Sequence, residues 1–313
     1  MERTPKQTRR QWMVTHEWMV KPMQQTEWIE GEGLLVWLSE VFSSLGTGLY
    51  FVSLFVSNWW GALIGYLIVV GLKLPFHLAY LGKPSRFWRT LPPFSNAWRT
   101  SWIARGVLFT GVFMFFGLIQ LLTSSMAPGS PFDIFIRVMA GIFAVLTAIY
   151  CGFMMSFCKS VPFWNTGLLP IVIMNAGIAD GLALLMGVGM VTSGVNFGGL
   201  EVASRILLVV NIVLIGSLIM NSFYQSDTAG FSARELMSGR VATSFWIGVI
   251  LLGIIVPLGI SIETLFTGGA ISHTLMIGAV ISHTVGAFAL KYTILKVGIY
   301  EPIVPKAKKA VLK

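Results

Sequence analysis

The sequence predicts an all-α, multi-pass membrane protein with eight transmembrane helices. Three observations carry that expectation. Hydrophobic residues make up 55% of the 313 and charged residues only 11%, a balance that would leave a soluble chain with too much apolar surface. Eight stretches are apolar for about 20 residues or more, the length needed to cross the hydrocarbon core. Lys and Arg gather in alternate connections between those stretches and avoid the others.

Taken in order, the first 30 residues are polar and charged. They lack an apolar run followed by a small-residue cleavage site, so they read as a retained tail. The spans fall at 34–56, 60–80, 102–124, 133–157, 167–191, 202–223, 241–266 and 270–296. Each is bounded by Pro, Gly or charge. In lipid each must be helical, because a helix satisfies its own backbone groups. Trp59, Trp60, Trp98, Trp102, Trp164, Tyr224 and Trp246 stand near span ends, as in an interfacial aromatic belt. Gly and Met inside the spans favour close helix packing.

An even number of spans puts both termini on one side. That side collects Arg3, Lys6, Arg9, Arg10 and Lys21 in the amino tail, and Lys83, Arg86, Arg89 and Arg99 in the second connection. It also holds Lys159, Arg234, Arg240, and Lys306, Lys308, Lys309 and Lys313 of the carboxyl tail. The opposite connections, near 57–59, 125–132, 192–200 and 267–269, carry no Lys or Arg. The positive-inside rule then predicts an inner (plasma) membrane protein with both termini in the cytoplasm. The basic face suits membrane lipid with anionic headgroups or an acidic partner subunit. Topology accounts for the net charge of +9. No recognition module accompanies it, so no nucleic-acid partner is expected.

Ionisable residues inside spans are costly and mark functional candidates. Helix direction sorts them by depth. Glu30, Glu32, Trp37 and Glu40 lie at the basic-side start of the first span, and Lys73 and His77, four apart, at the basic-side end of the second. Arg105, Tyr150 and Lys291 share that depth. Such a set could line a quinone pocket: a two-carbonyl ring needs polar contacts at its ends, apolar walls, and a group that relays protons, for which histidine is suited. Structural readings stand beside this one. Lys73 and Lys291 could snorkel to headgroups. Glu30 and Glu32 could be first-turn charges. Glu40 could simply pair with Arg105 or Lys73, and His77 and Tyr150 could make ordinary hydrogen bonds. Deeper, Asp180 in mid-span five and His283 in span eight, with Glu263 and His273 towards the opposite face, sketch a proton route. Packing polar groups without transport is the competing account.

Cys151 and Cys158 are the only cysteines. Two thiols cannot supply the four ligands of an iron–sulfur cluster, and no metal site is expected. Membrane haem needs paired axial ligands, and His77 and His273 sit at opposite depths, so no haem is expected either.

An ordered set of motifs resembles the NrfD/PsrC family, the quinone-interacting membrane subunits of respiratory iron–sulfur, molybdoenzyme-type complexes. The set begins with the turn Leu81-Gly82-Lys83-Pro84-Ser85-Arg86-Phe87-Trp88-Arg89 and continues with Thr100-Ser101-Trp102-Ile103-Ala104-Arg105-Gly106. Tyr150-Cys151-Gly152-Phe153, Val161-Pro162-Phe163-Trp164-Asn165, Leu169-Pro170, Phe245-Trp246 with Pro257-Leu258, and Leu290 to Pro302 complete it. The resemblance implies two four-helix bundles, here 34–157 and 158–296, flanked by an interfacial tail at 1–33 and a basic tail at 297–313. It implies an exchangeable menaquinone or ubiquinone, with no haem or iron–sulfur cluster in this chain. It also implies an iron–sulfur electron-transfer subunit as partner, and behind it a catalytic subunit, molybdopterin-dependent in many complexes. Tyr150 matches the family's quinone-contacting tyrosine. The family's helix-one Asn and His have no counterpart here, and Glu30, Glu32 and Glu40 occupy that neighbourhood. Tyr80 stands where many members carry Asp or His.

The expectation is therefore a subunit that exchanges electrons between quinone and a docked iron–sulfur subunit. His77, Tyr150, Glu40 and Arg105 would serve the reaction, and Glu30, Glu32, Trp37 and Lys73 would complete the pocket. Lys83, Arg86, Phe87, Trp88 and Arg89 would meet the partner. A proton or small-solute transporter, and an inert anchor of a complex, are the alternatives.

Overall fold

The computed structural model describes residues 19–90, 96–192, 197–267 and 272–304. The basic tail residues below 19 and above 304 lie outside them. Among the described residues eight helices are long and apolar enough to cross a membrane. They are α1 (Gly33–Phe55), α2 (Trp59–Tyr80), α3 (Trp102–Met126), α4 (Pro131–Ser156), α5 (Leu168–Gly189), α6 (Phe197–Gln225), α7 (Ser244–Ile255 continuing through Val256–Thr267) and α8 (His273–Lys296). The expected boundaries hold to within a few residues except in α6. That helix starts five residues before 202 and so takes Glu201 into the protein.

Local chemistry sets the helix starts. Asn58, Ser101, Ser130 and Ser272 each accept a backbone N–H of the first turn, capping α2, α3, α4 and α8. Pro131 follows the Ser130 cap, where a missing N–H costs nothing.

Two helices are not regular. α2 winds as a π-helix over Val69–Lys73 just before Pro75, and α7 does so over Ser244–Ile255 just before Pro257. Proline offers no N–H to the ladder and crowds the preceding turn, so the backbone widens there. In α2 the wide turn leaves Lys73 facing inward and Leu72 facing out.

α1 and α5 are the most buried spans. α1 packs against α2, α4, α5 and α8, and α3 packs chiefly against α4. α5 meets α4, α6 and α8, while α7 lies along α8. Glycines set the two tightest crossings. A Cβ on Gly181 would come 2.2 Å from the backbone carbon of Gly48, and one on Gly286 would come 2.1 Å from the Cα of Gly253. Small residues at such points let helix backbones meet in lipid.

A clasp closes the face where α1 begins and α8 ends. β1 (Met23–Gln24) pairs antiparallel with β2 (Ile299–Tyr300), Met23 opposite Tyr300. The buried Gln25 side chain donates to the Leu295 carbonyl, and Lys296 pairs with Glu30. The Tyr300 hydroxyl donates to Glu27 at 3.0 Å. Backbone N–H donation, of Glu27 itself above all, together with the Tyr300 hydroxyl, holds the Glu27 carboxyl below its ordinary range. Burial pushes the Tyr300 phenol up to about 12, and the neighbouring Glu27 adds to the rise.

Candidate functional site

On this same face, α1, α2, α4 and α8 bring charged groups together in the interior. Glu40 is 5% exposed, and Lys73, Tyr150 and Lys291 are 1–2% exposed, an arrangement that lipid-embedded protein tolerates only when charges compensate. The Lys73 ammonium donates to Thr110 Oγ1 at 2.8 Å and lies 5.3 Å from the centre of the Tyr150 ring. Glu40 lies within electrostatic reach of both Lys73 and Lys291, and His77 within reach of Lys73. The Tyr150 ring seats against Gly106, where a Cβ would stand 2.2 Å from it.

Beside this cluster runs an aromatic wall. Phe42 stacks on Phe76, with centroids 5.6 Å apart, and meets Phe288 edge-on. Trp37 packs between Phe288 and Tyr292, its indole donating to the Phe288 carbonyl at 3.1 Å. His77 follows Phe76 directly and is half-buried. Apolar aromatic faces thus stand next to an amine, a carboxyl group and an imidazole.

A second polar group lies deeper, at the Gly48–Gly181 crossing. Asp180 accepts from Ser44 Oγ at 2.7 Å and meets His283 Nε2 at 3.1 Å. Ser44 in turn receives the Lys291 ammonium at 3.3 Å. The other nitrogen of His283 lies 3.0 Å from the Gly253 carbonyl, and Ser282 donates to the Leu252 carbonyl at 2.6 Å. Pro257 offers no N–H to this turn, and the change from π to α register there leaves a second carbonyl without a helical donor. A carbonyl only accepts, so His283 Nδ1 carries a proton. Its Nε2 is the nitrogen that meets the Asp180 carboxyl. Asp180 and His283 therefore form a buried carboxyl–imidazole contact between α5 and α8.

Past His283, Glu201, Ser204 and Ser261 line a cavity of about 20 Å³ near the opposite membrane face. Arg205 donates to Ser261 at 2.9 Å and pairs with Glu201 at 3.8 Å. Ionisable and hydroxyl groups thus run from the clasp face through Glu40, Lys291, Ser44, Asp180 and His283 towards Glu201.

Residues 53–302 match the family model described as "Polysulphide reductase, NrfD". The protein belongs to the NrfD family. It is 27% identical over 259 residues to the C subunit of polysulfide reductase from Wolinella succinogenes, covering 76% of this sequence and 80% of that one. It is 24% identical over 222 residues to protein NrfD of Escherichia coli, covering 61% and 67% respectively. The resemblance drawn from the ordered motifs and the match to the NrfD family agree.

Within this NrfD-family protein, the predicted site residues separate into groups. Glu40, Lys73, His77 and Tyr150 lie together, with Trp37 in the wall beside them. Glu30 and Glu32 do not join them. Both are exposed where α1 begins, and Glu30 pairs with Lys296. Arg105 also points elsewhere. Its guanidinium donates to the carbonyls of Trp98 and Arg99 and packs 4.5 Å from the centre of the Trp102 ring, tying down the entry to α3. Asp180 and His283 meet, whereas Glu263 and His273 are exposed at the opposite face and the bonds of the pair go to Ser44 and Gly253. Lys83, Arg86, Phe87, Trp88 and Arg89 are all exposed. Pro84–Thr90 winds as a 3₁₀ helix, and Arg89 packs over Trp88. Sequence reasoning missed Glu201 and Arg205. Their i,i+4 spacing within an otherwise apolar helix was the available signal.

Proposed function

We propose that this protein is the quinone-exchanging membrane subunit of a respiratory complex, with its quinone site at the aromatic wall on the clasp face. The observation that carries this reading is the adjacency of Trp37, Phe42, Phe76 and Phe288 to His77 and to the Lys73–Glu40–Tyr150 cluster. A bound menaquinone or ubiquinone would supply two-electron, two-proton chemistry. The protein's own part is to hold the ring by its faces, to offer His77 and Lys73 as polar contacts, and to keep Glu40 at hand as a proton acceptor. The similarity to the polysulfide reductase C subunit supports a place in a multisubunit oxidoreductase. The docked partner would be an iron–sulfur subunit, followed by a catalytic subunit, on the exposed Arg86–Arg89 helix. Phe87 and Trp88 would be the buried anchors there, and the arginines the charge contacts. The same positive face supports termini on the cytoplasmic side.

A second reading, coupled proton movement, is favoured by one specific observation: the buried Asp180–His283 pair lies between the quinone-side cluster and Glu201. Quinol oxidation by the assembled complex tests the main reading. His77→Ala and Tyr150→Phe should each lower turnover about tenfold or more, the scale of a lost acid–base or positioning group. Normal turnover in both variants, with assembly intact, would remove the site from this wall.

A further inference from the structure

The first four helices carry a second feature, far from the quinone-side cluster, where α1 and α3 end and α2 and α4 begin. A cavity of about 430 Å³ opens there, with Ser53, Ser57, Asn58, Gln120, Asp133 and Arg137 on its walls. Directly beside it a groove of about 460 Å³ runs down the seam between α1 and α4, bounded by Phe51, Phe55, Val138, Ile142 and Leu146. Leu54 and Arg137 border both hollows. The two therefore form one amphiphilic depression, polar at the membrane face and apolar along the lipid-exposed side.

Arg137 is held at the junction with part of its donor capacity unused. One terminal nitrogen donates to Ser57 Oγ at 3.0 Å and lies 3.4 Å from the Leu54 carbonyl. The other reaches Asp133 only at 3.5 Å. Its Nε is buried and, among the described residues, has no hydrogen-bond partner. Asp133 is fully buried and committed elsewhere, accepting from Thr123 Oγ1 and from the Gly129 N–H, each at 3.0 Å. The Arg137 side chain is still 28% exposed on the cavity wall, so its terminal N–H groups are open to an acceptor with several oxygens, and phosphate matches that fork.

The groove's length identifies the rest of the ligand. From Arg137 to Leu146 the helix rises about 13 Å, close to the roughly 15 Å of hydrocarbon in one leaflet. An acyl tail hanging from a headgroup at Arg137 would fill the groove and end at the bilayer midplane.

We propose that this depression is a specific phospholipid site in the leaflet opposite the clasp face, with the phosphate on Arg137 and one acyl tail along α1 and α4. The site is independent of the quinone reading. The bound lipid seals the open ends of four helices and supplies a further acceptor to the exposed face of Arg137.

Native mass spectrometry of the full-length protein, extracted in mild detergent and washed free of bulk lipid, tests this. The wild type should retain one phospholipid. Arg137→Gln should lower retention about tenfold or more, the factor expected for a lost hydrogen bond between charged groups. Val138→Trp, which fills the groove from its lipid-exposed wall and disturbs no packed residue, should lower it too. Thermal melts of both variants check that the bundle is intact. Retention unchanged in both variants, or a quinone retained in place of phospholipid, overturns the proposal. So does a site that Val138→Trp leaves unaffected while added inorganic phosphate competes for it, because that would be an anion site without a lipid.

Discussion

Replacing Asp180 by asparagine and by alanine separates its structural role from its proton role. In Asp180→Ala, Ser44 and His283 each lose the partner seen at 2.7 and 3.1 Å. Leaving two buried polar groups unsatisfied costs about 1–3 kcal/mol each, so about 2–6 kcal/mol in all. Asp180→Asn keeps the shape and offers an oxygen and an amide to the same two partners. It forfeits only the charge-assisted share of each bond, about 1 kcal/mol apiece and about 2 kcal/mol together. Thermal unfolding of the purified protein in detergent should therefore place Asn near the wild type and Ala well below it. Function should order them differently. An amide cannot take up and pass on a proton as a carboxylate can. Quinol oxidation by the reconstituted complex should persist in Asp180→Asn, while proton movement, read by a pH-sensitive dye in sealed vesicles, should vanish. Wild-type proton movement in Asp180→Asn would refute the proton role. Equal stability of Asn and Ala would refute the packing account.

Gly181→Ala drives a methyl to within 2.2 Å of the α1 backbone; the overpacking cost of about 1–3 kcal/mol or more should appear as a lower melting midpoint and a smaller yield of folded protein. Trp88→Ala, at an exposed position, should leave the stability of the isolated subunit unchanged. It should weaken partner retention in pull-down by a factor of about 30, the scale of a hot-spot residue. In the clasp, the Tyr300 phenol is raised to about 12, so folding favours its neutral form. That contribution is whole below about pH 10 and is lost as pH rises through 12. Glu27 has the opposite sign: its depressed carboxyl pKa contributes above about pH 4 and is lost as pH falls through the folded value. Phenolate absorbance of the wild type minus Tyr300→Phe should show a step near 12 that moves down in Glu27→Gln; a wild-type step near the ordinary value of about 10 would remove the clasp from this account.

The eight spans were legible because lipid forces two strong signals on a sequence, an apolar length and a sided distribution of Lys and Arg. The depth of Glu40, Lys73, His77 and Tyr150 was legible for the same reason, since direction along a helix fixes depth. Rotation about the helix axis was not. Arg105 shares that depth but faces Trp98 and Trp102, and only the packing of the segment entering α3 decides this. His273 and Glu263 were read into a route because they are titratable and near the right face, yet each falls on an exposed side of its helix. Glu201 was hidden by its place in the sequence. A carboxylate at the edge of an apolar run reads as the end of the span, whereas pairing with Arg205 lets the helix continue and carry it inside.

Both irregular helices place their wide turns next to buried titratable groups, and the physics of lipid explains why. A π-turn before proline leaves backbone carbonyls without helical donors, and no water in the hydrocarbon core can repair that. Side chains of a neighbouring helix must do so. In α7 the repair comes from Ser282 and His283, and it commits one nitrogen of the histidine. That commitment leaves the other nitrogen to meet Asp180. In α2 the wide turn before Pro75 rotates Lys73 inward, where Ser39 takes its carbonyl and Thr110 its ammonium. Pro75 and Pro257 thus act through backbone geometry on residues they do not resemble chemically. A substitution at either proline that restores a regular α-helix would leave every titratable residue in the sequence and still dismantle the arrangement that joins them.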